Sequence, residues 1–158
     1  HRVAEMYEEL FSGIGKDPTV ILQPLFDENH DEMIIVKDIP FYSVCEHHMV
    51  PFVGKAHIAY VPNKSGKIVG LSKLSRVLEI ASRRLQVQER LTTIVADAIM
   101  QKLEPRGAMV IIEAEHLCMS IRGVKKPNTI TVTSAVRGLF RQNAASRAEA
   151  MALIKSGR

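Results

Sequence analysis

Cysteine is scarce in this chain: only Cys45 and Cys118 occur in 158 residues. That excludes a framework of several disulfides and leaves either a single bridge or two thiol ligands for a metal. No apolar run approaches the roughly 20 residues needed to span a bilayer, and no signal-peptide pattern opens the chain, so a membrane protein is not expected. The chain begins at His1 rather than Met, so a preceding amino-terminal segment is expected to have been lost. There is no dense Lys/Arg tract. The 21 basic and 17 acidic residues leave a net charge of +4, and aromatic residues make up only 5%. Nucleic-acid binding, which needs a basic track interleaved with stacking rings, is therefore not expected. A small, highly charged anion held by locally gathered basic side chains suits this balance better.

The chain has the 46% hydrophobic and 24% charged content of an ordinary globular protein. It shows no internal repeat, low-complexity stretch or Pro/Gly/Ser linker. One domain is expected over 1–158, divided into a helical arm and connection (1–30) and a core (31–158). Val3, Met6, Tyr7, Leu10 and Phe11 recur at helical spacing, with Gly13 where a helix would stop. Lys16 to Asn29, holding two prolines, reads as an irregular connection. Met33 to Val44 reads as a strand broken near Pro40, and Val53 to Val61 as a second, followed by the turn Asn63-Lys64-Ser65-Gly66. Leu74, Val77, Leu78 and Ala81 then mark a helix, with Ser72 placed to cap it. Val87, Leu91, Ile94, Val95 and Ala98 form the stripe of a second helix, ended by Pro105 and Gly107. Ala108 to Arg122 and Thr129 to Val136 are strand-like, and Ala144 to Lys155 suits a closing helix. The order predicts an α+β fold with an antiparallel sheet and two helices packed on one face.

The densest chemical cluster is Cys45-Glu46-His47-His48, in a loop between the first two predicted strands. Cys45 and His48 are three apart, so one turn can aim both at a metal, although a buried thiol beside two surface histidines has the same spacing. The second cluster weighs against that plainer reading. In Glu115 to Arg122, strand alternation puts His116, Cys118, Ser120 and Arg122 on one face and Leu117, Met119 and Ile121 on the core face. Together the clusters offer Cys45, His48 and Cys118 as ligands, with His47 and His116 left over. Zinc suits two thiolates and an imidazole, and three protein ligands leave a position for water, whose pKa would fall from about 15.7 to near 7. A closed structural site, with His47 or His116 as fourth ligand, is the competing arrangement. Otherwise His47 and His116 are natural proton carriers, or supports for the ligands. His1, His30 and His57 have no comparable company and read as ordinary surface or strand histidines.

Ser72, Lys73 and Arg76 open the first central helix, where free N–H groups and a positive dipole end favour anions. With Arg122 they would suit a polyphosphate; alone they read rather as a cap and two solvated charges. Glu89, at the start of the second helix, is either a solvated first-turn carboxylate or an acceptor for the N1–H and exocyclic amine of guanine. Spacing does not choose between these.

Several segments, at matching separations, resemble signature segments of GTP cyclohydrolase I: Ser43-Val44-Cys45-Glu46-His47-His48, Gly70-Leu71-Ser72-Lys73-Leu74, Gln86-Val87-Gln88-Glu89-Arg90-Leu91-Thr92 and His116-Leu117-Cys118-Met119. Thr131-Val132-Thr133-Ser134 and Gly138-Leu139-Phe140 also match, so the resemblance runs from Arg2 to the carboxyl end. It implies the tunnelling fold, in which subunit sheets join into a barrel, and a cytoplasmic homodecamer with active sites between subunits. It also implies conversion of GTP and water to formate and 7,8-dihydroneopterin triphosphate, the first step towards folate and, in some organisms, tetrahydrobiopterin. One Zn2+ per chain would sit on Cys45, His48 and Cys118, and water would attack C8 of guanine. His47 and His116 would move protons, and Ser72 would help position the ring. Gln88 and Glu89 would read guanine, and Lys73, Arg76 and Arg122 would hold the triphosphate, with Arg2 reaching in from a neighbouring subunit. The family's amino-terminal helical extension is mostly absent, and Glu5 stands where some members carry a lysine. The alternatives are another enzyme of the same fold acting on a different pterin or deazapurine, and a non-catalytic module stapled by zinc.

Overall fold

Long alternating strands organise the molecule, and a computed structural model describes residues 1–157. In chain order, α1 (Arg2–Leu10) leads through a 3-10 turn (Pro18–Ile21) to β1 (Leu25–Asp27), β2 (Ile34–Cys45), β3 (Pro51–Val61) and β4 (Lys67–Val69). Then come α2 (Leu71–Ser82), β5 (Leu85–Gln86), α3 (Gln88–Leu103), β6 (Gly107–His116), the short turn of helix α4 (Leu117–Ser120) and β7 (Ile130–Gly138). The short α5 (Leu139–Gln142) and α6 (Ala144–Lys155) close the chain. The main sheet has the order β5-β2-β3-β6-β7 and is antiparallel except where β5 runs parallel to β2; β1 and β4 form a separate antiparallel pair. The α+β expectation and its strand, strand, helix, helix, strand, strand order are met.

Period-2 alternation sorts the sheet into two faces. Ala56, Ile58 and Tyr60 of β3 and Ala108, Val110 and Ile112 of β6 face one core, against which α2 and α3 bury Leu74, Val77, Leu78, Leu91, Val95 and Ile99. The intervening residues Ala59, Val61, Met109 and Ile111 face the other way and meet Phe140, Ala150 and Ile154 of the closing helices. The two long central helices share one face, as expected, and α6 takes part of the other.

Several local features differ from expectation. The break in β2 does fall near Pro40 as expected, between Val36 and Ile39, where the pairing with β3 shifts register, and Pro40 itself pairs with Lys55. Asp38 takes a positive φ of 57° there, and its N–H donates to Nδ1 of His57 across 3.0 Å. His57 is thus no ordinary histidine: it is fully buried, with Nε2 3.7 Å from a Glu113 carboxylate oxygen. Gly13 does not simply stop α1. Its N–H donates to the Arg83 carbonyl at 2.8 Å, and a Cβ there would lie 2.2 Å from the Ile80 carbonyl oxygen, so the arm docks on the end of α2 at a distance only glycine allows. Finally, Ser72 is not the cap of α2. The cap position is Gly70, with no side-chain bond, and Ser72 sits exposed in the first turn.

Candidate metal centre and active-site cleft

Antiparallel pairing of β2 with β3 and of β3 with β6 brings the end of β2 and the end of β6 to the same end of the sheet, joined through Phe52, which pairs with both Ser43 and His116. The chain leaves β2 at Cys45 in a tight turn: the Cys45 N–H donates to Val50 at 2.9 Å, and the Met49 N–H returns to the Cys45 carbonyl at 2.9 Å. This turn folds His48 back towards Cys45, placing Nδ1 3.7 Å from the sulfur. After His116 the chain coils into α4 rather than continuing as a strand. This overturns the alternation expected from Glu115 to Arg122: Ile121, assigned to a core face, is 64% exposed. Cys118 still arrives where it was expected, delivered by helical curl, and it is buried.

The ligand atoms of Cys45, His48 and Cys118 lie within 4.8 Å of one another, the one such metal-competent group among the described residues. Both cysteines are free thiols. Burial, reinforced by the adjacent Cys45 sulfur, pushes the Cys118 thiol above its ordinary value. That thiol therefore resists becoming a thiolate by itself, and a cation among the donors removes the cost. The donor set, two sulfurs and an imidazole at chelating separation, fits zinc.

A cleft of about 230 Å³ adjoins this group and is also lined by His47, Gln88, Glu89, His116 and Thr131. His47 is largely exposed, with Nδ1 3.8 Å from the Cys45 sulfur. His116 is half-buried and stacked on Phe52, ring centroids 4.7 Å apart and planes parallel. Burial depresses its pKa, opposed in part by the Glu89 carboxylate, so the neutral imidazole is favoured. Glu89 stands exposed in the first turn of α3, at the cleft wall. Gln88 departs from expectation. Its side chain is buried rather than offered to a base, with Oε1 2.7 Å from His116 Nε2 and Nε2 directed at Ile112, Thr131 and Thr133.

Of the expected phosphate residues, Arg122 alone lies beside the metal-competent group. Arg122 follows α4 closely, its guanidinium 3.4 Å from the Cys118 carbonyl. Ser72, Lys73 and Arg76 lie at the other end of the fold. α2 begins beside Val69, whose N–H donates to the Tyr60 hydroxyl, and Tyr60 is eight residues along β3 from Phe52, roughly 26 Å of strand. Arg2 is exposed at the tip of α1. Sequence reasoning also missed the Glu46–Arg90 pair, two hydrogen bonds that tie the ligand turn to the first turn of α3. No spacing rule links positions 46 and 90. Thr92, by contrast, was reachable, since i,i+4 spacing puts it beneath Gln88.

The GTP cyclohydrolase I family model matches residues 1–155. The chain belongs to the GTP cyclohydrolase I family. It is 64% identical over 154 residues to the GTP cyclohydrolase 1 of Pelotomaculum thermopropionicum, covering 98% of this chain and 81% of that one. It is 58% identical over 153 residues to that of Mycobacterium tuberculosis, covering 97% and 76%. Among solved structures, the apo archaeosine synthase QueF-Like superposes with a TM-score of 0.55 at 13% identity, over 67% of this chain and 93% of that one. That likeness places the GTP cyclohydrolase I family chain in the tunnelling fold, as expected from its motifs.

Proposed function

We propose that this chain is a zinc-dependent GTP cyclohydrolase I, converting GTP and water to formate and 7,8-dihydroneopterin triphosphate. The observation that carries the reading is the convergence of Cys45, His48 and Cys118 within 4.8 Å beside a cleft lined by His47, His116 and Glu89, in a member of this family. Cys45, His48 and Cys118 would hold the metal. Zinc there supplies Lewis acidity, making water nucleophilic near neutral pH for attack at C8 of guanine.

The chain's own residues do the rest. The Glu89 carboxylate accepts from the N1–H and 2-amino group of guanine, a two-point match that also turns the imidazole edge of the purine towards the metal end of the cleft. His116, kept neutral by burial and held flat against Phe52, exchanges a proton with the substrate as the ring opens. His47, exposed at the cleft mouth, exchanges protons with solvent. Arg122 lies close enough to the metal end to meet the phosphates from the same chain. Ser72, Lys73, Arg76 and Arg2 do not, and their distance supports a homo-oligomer, a decamer by family resemblance, in which a neighbouring copy brings them to the cleft. A cytoplasmic enzyme fits this substrate.

Zinc-loaded, assembled protein is expected to release formate from GTP at one metal per chain, with ultraviolet absorbance growing as the pterin forms. GTP left unchanged by such protein overturns the reading.

A further inference from the structure

Gln88 opens α3 at the cleft wall, yet only 1% of its surface is exposed. Its amide nitrogen lies 3.0 Å from the Ile112 carbonyl, 3.0 Å from the Thr131 carbonyl and 3.1 Å from the Thr133 hydroxyl. Backbone carbonyls only accept, so the NH2 end of the amide must face them; a flipped amide would set oxygen against two oxygens. The hydroxyls agree with this direction. Thr92 donates its one hydrogen to the Gln88 carbonyl at 2.7 Å. Thr133 must therefore be the donor in the 2.7 Å contact between the two hydroxyls, and it accepts from the Gln88 amide.

The amide oxygen is then left facing His116 Nε2 at 2.7 Å. An amide oxygen cannot donate, so Nε2 carries the hydrogen, and a neutral ring has its lone pair on Nδ1. Stacking on Phe52 fixes the plane of the same ring.

We propose that Gln88 is a positioning residue that locks His116 in the Nε2–H tautomer, so that Nδ1 is the nitrogen offered to the substrate for proton transfer. The proton enters and leaves through Nδ1, while the Nε2 hydrogen stays on its nitrogen and remains bonded to Gln88 in both charge states. The ring thus gains and returns one proton per transfer without reorienting. The role in catalysis rests on the cyclohydrolase reading; the tautomer does not.

Two measurements test it. In the zinc-loaded Gln88→Met protein, kcat for GTP is expected to fall roughly 10- to 100-fold, the usual cost of losing an orienting partner. KM stays within about twofold, and the preference for GTP over inosine triphosphate, which lacks the 2-amino group, is kept. A raised KM with loss of that preference would return Gln88 to guanine recognition and overturn the proposal. So would a lower Tm with kcat intact, which is the mark of a purely structural role. The second measurement needs neither a variant nor turnover: solid-state NMR of sedimented wild-type protein carrying 15N-labelled histidine, with the His116 signals assigned by their loss in His116→Ala. A protonated Nε2 and bare Nδ1 support the lock, and a protonated Nδ1 in the neutral ring overturns it. If wild-type protein proves inactive on GTP, the cyclohydrolase reading fails while the spectrum still decides the tautomer.

Discussion

The two ends of α2 behave differently. Its carboxyl end abuts the strand that delivers Cys45: the Ser82 carbonyl accepts from the Ser43 hydroxyl at 2.7 Å. There one chain by itself assembles three metal donors, two further histidines and an acidic wall. Its amino end carries Ser72, Lys73 and Arg76, far along the fold from that group, although Ser72 and Lys73 belong to a segment of the same family resemblance. Chelation depends on donor positions within tenths of an ångström, which packing inside one fold can guarantee. Attraction between a triphosphate and basic side chains falls off slowly with distance and tolerates flexible stems, so a second copy can supply it. The metal-competent donors are brought together within one chain, whereas Lys73 and Arg76 are not brought to them by the same chain.

The sharpest way to break this contrast is at the metal end. Cys118→Ser removes one of two thiolates, and bound zinc should drop from one per chain to a small fraction, measurable by metal analysis. Formate release should fall by more than roughly 100-fold, beyond the loss expected for an outer partner. Full activity with zinc retained would mean the ligand set is wrong. One step smaller is His116→Ala, for which zinc content should be unchanged and kcat should fall about 100- to 10,000-fold, the usual range for a proton carrier. The pair of results separates holding the metal from moving protons, two tasks placed only two residues apart.

This end of the molecule was readable from the sequence in its conclusions more than in its geometry. The i,i+3 spacing of Cys45 and His48 survives because a tight turn, closed by the Met49 N–H, needs only local residues. Cys118 was placed by strand alternation, yet it reaches Cys45 and His48 through α4: a strand pattern and one helical turn both fit so short an apolar-polar run. The partners of Gln88 were not legible, because a motif shows which residues gather at a site and not which atoms already have partners. Its satisfaction comes from β6 and β7, 24 and 43 residues away in sequence. For the same reason His57 looked ordinary, since its buried contacts to Asp38 and Glu113 exist only once β2, β3 and β6 are in register. Ser72 failed as a cap because Gly70 turns the chain into α2 one residue before Leu71. The separation of Lys73 and Arg76 from the metal is invisible in sequence altogether, being set by the length of β3.

A test at the other end of α2 is milder and more discriminating. Arg76→Ala should raise KM for GTP about tenfold, near 1.4 kcal/mol of lost ground-state and transition-state binding, and leave kcat within a few-fold. The decisive form mixes subunits. If the cleft of one copy takes its basic residues from another, co-assembling Cys118→Ser with Arg76→Ala chains at GTP below KM restores wild-type-like turnover in about a quarter of the sites. If each chain is self-sufficient, the mixture shows no more than the average of its two components.

The smallest expected effect concerns how the metal turn is held against α3. Glu46 lies between the ligand Cys45 and His47, and both of its carboxylate oxygens accept from the Arg90 guanidinium, one of them at 3.0 Å. That bond, more than any other influence, holds the Glu46 carboxyl below its usual range. The pair is solvent-exposed, so water and salt screen it and its share in global stability is small. What it can set is local: Arg90 immediately follows Gln88 and Glu89, so the strut fixes the Cys45–His48 turn relative to those two residues at the cleft wall. Glu46→Gln keeps the shape and loses the charge-assisted pairing. Zinc affinity is expected to weaken less than about tenfold, with Tm almost unchanged and KM for GTP rising more than kcat falls. The charge-reversed pair Glu46→Arg with Arg90→Glu should recover most of that loss, as a strut requires and a generic surface charge does not. Competition against a chromophoric chelator reads the affinity directly. An Arg90→Ala protein with unaltered zinc affinity and KM would show that the turn keeps its geometry through its backbone bonds to Val50 and Gln86 alone.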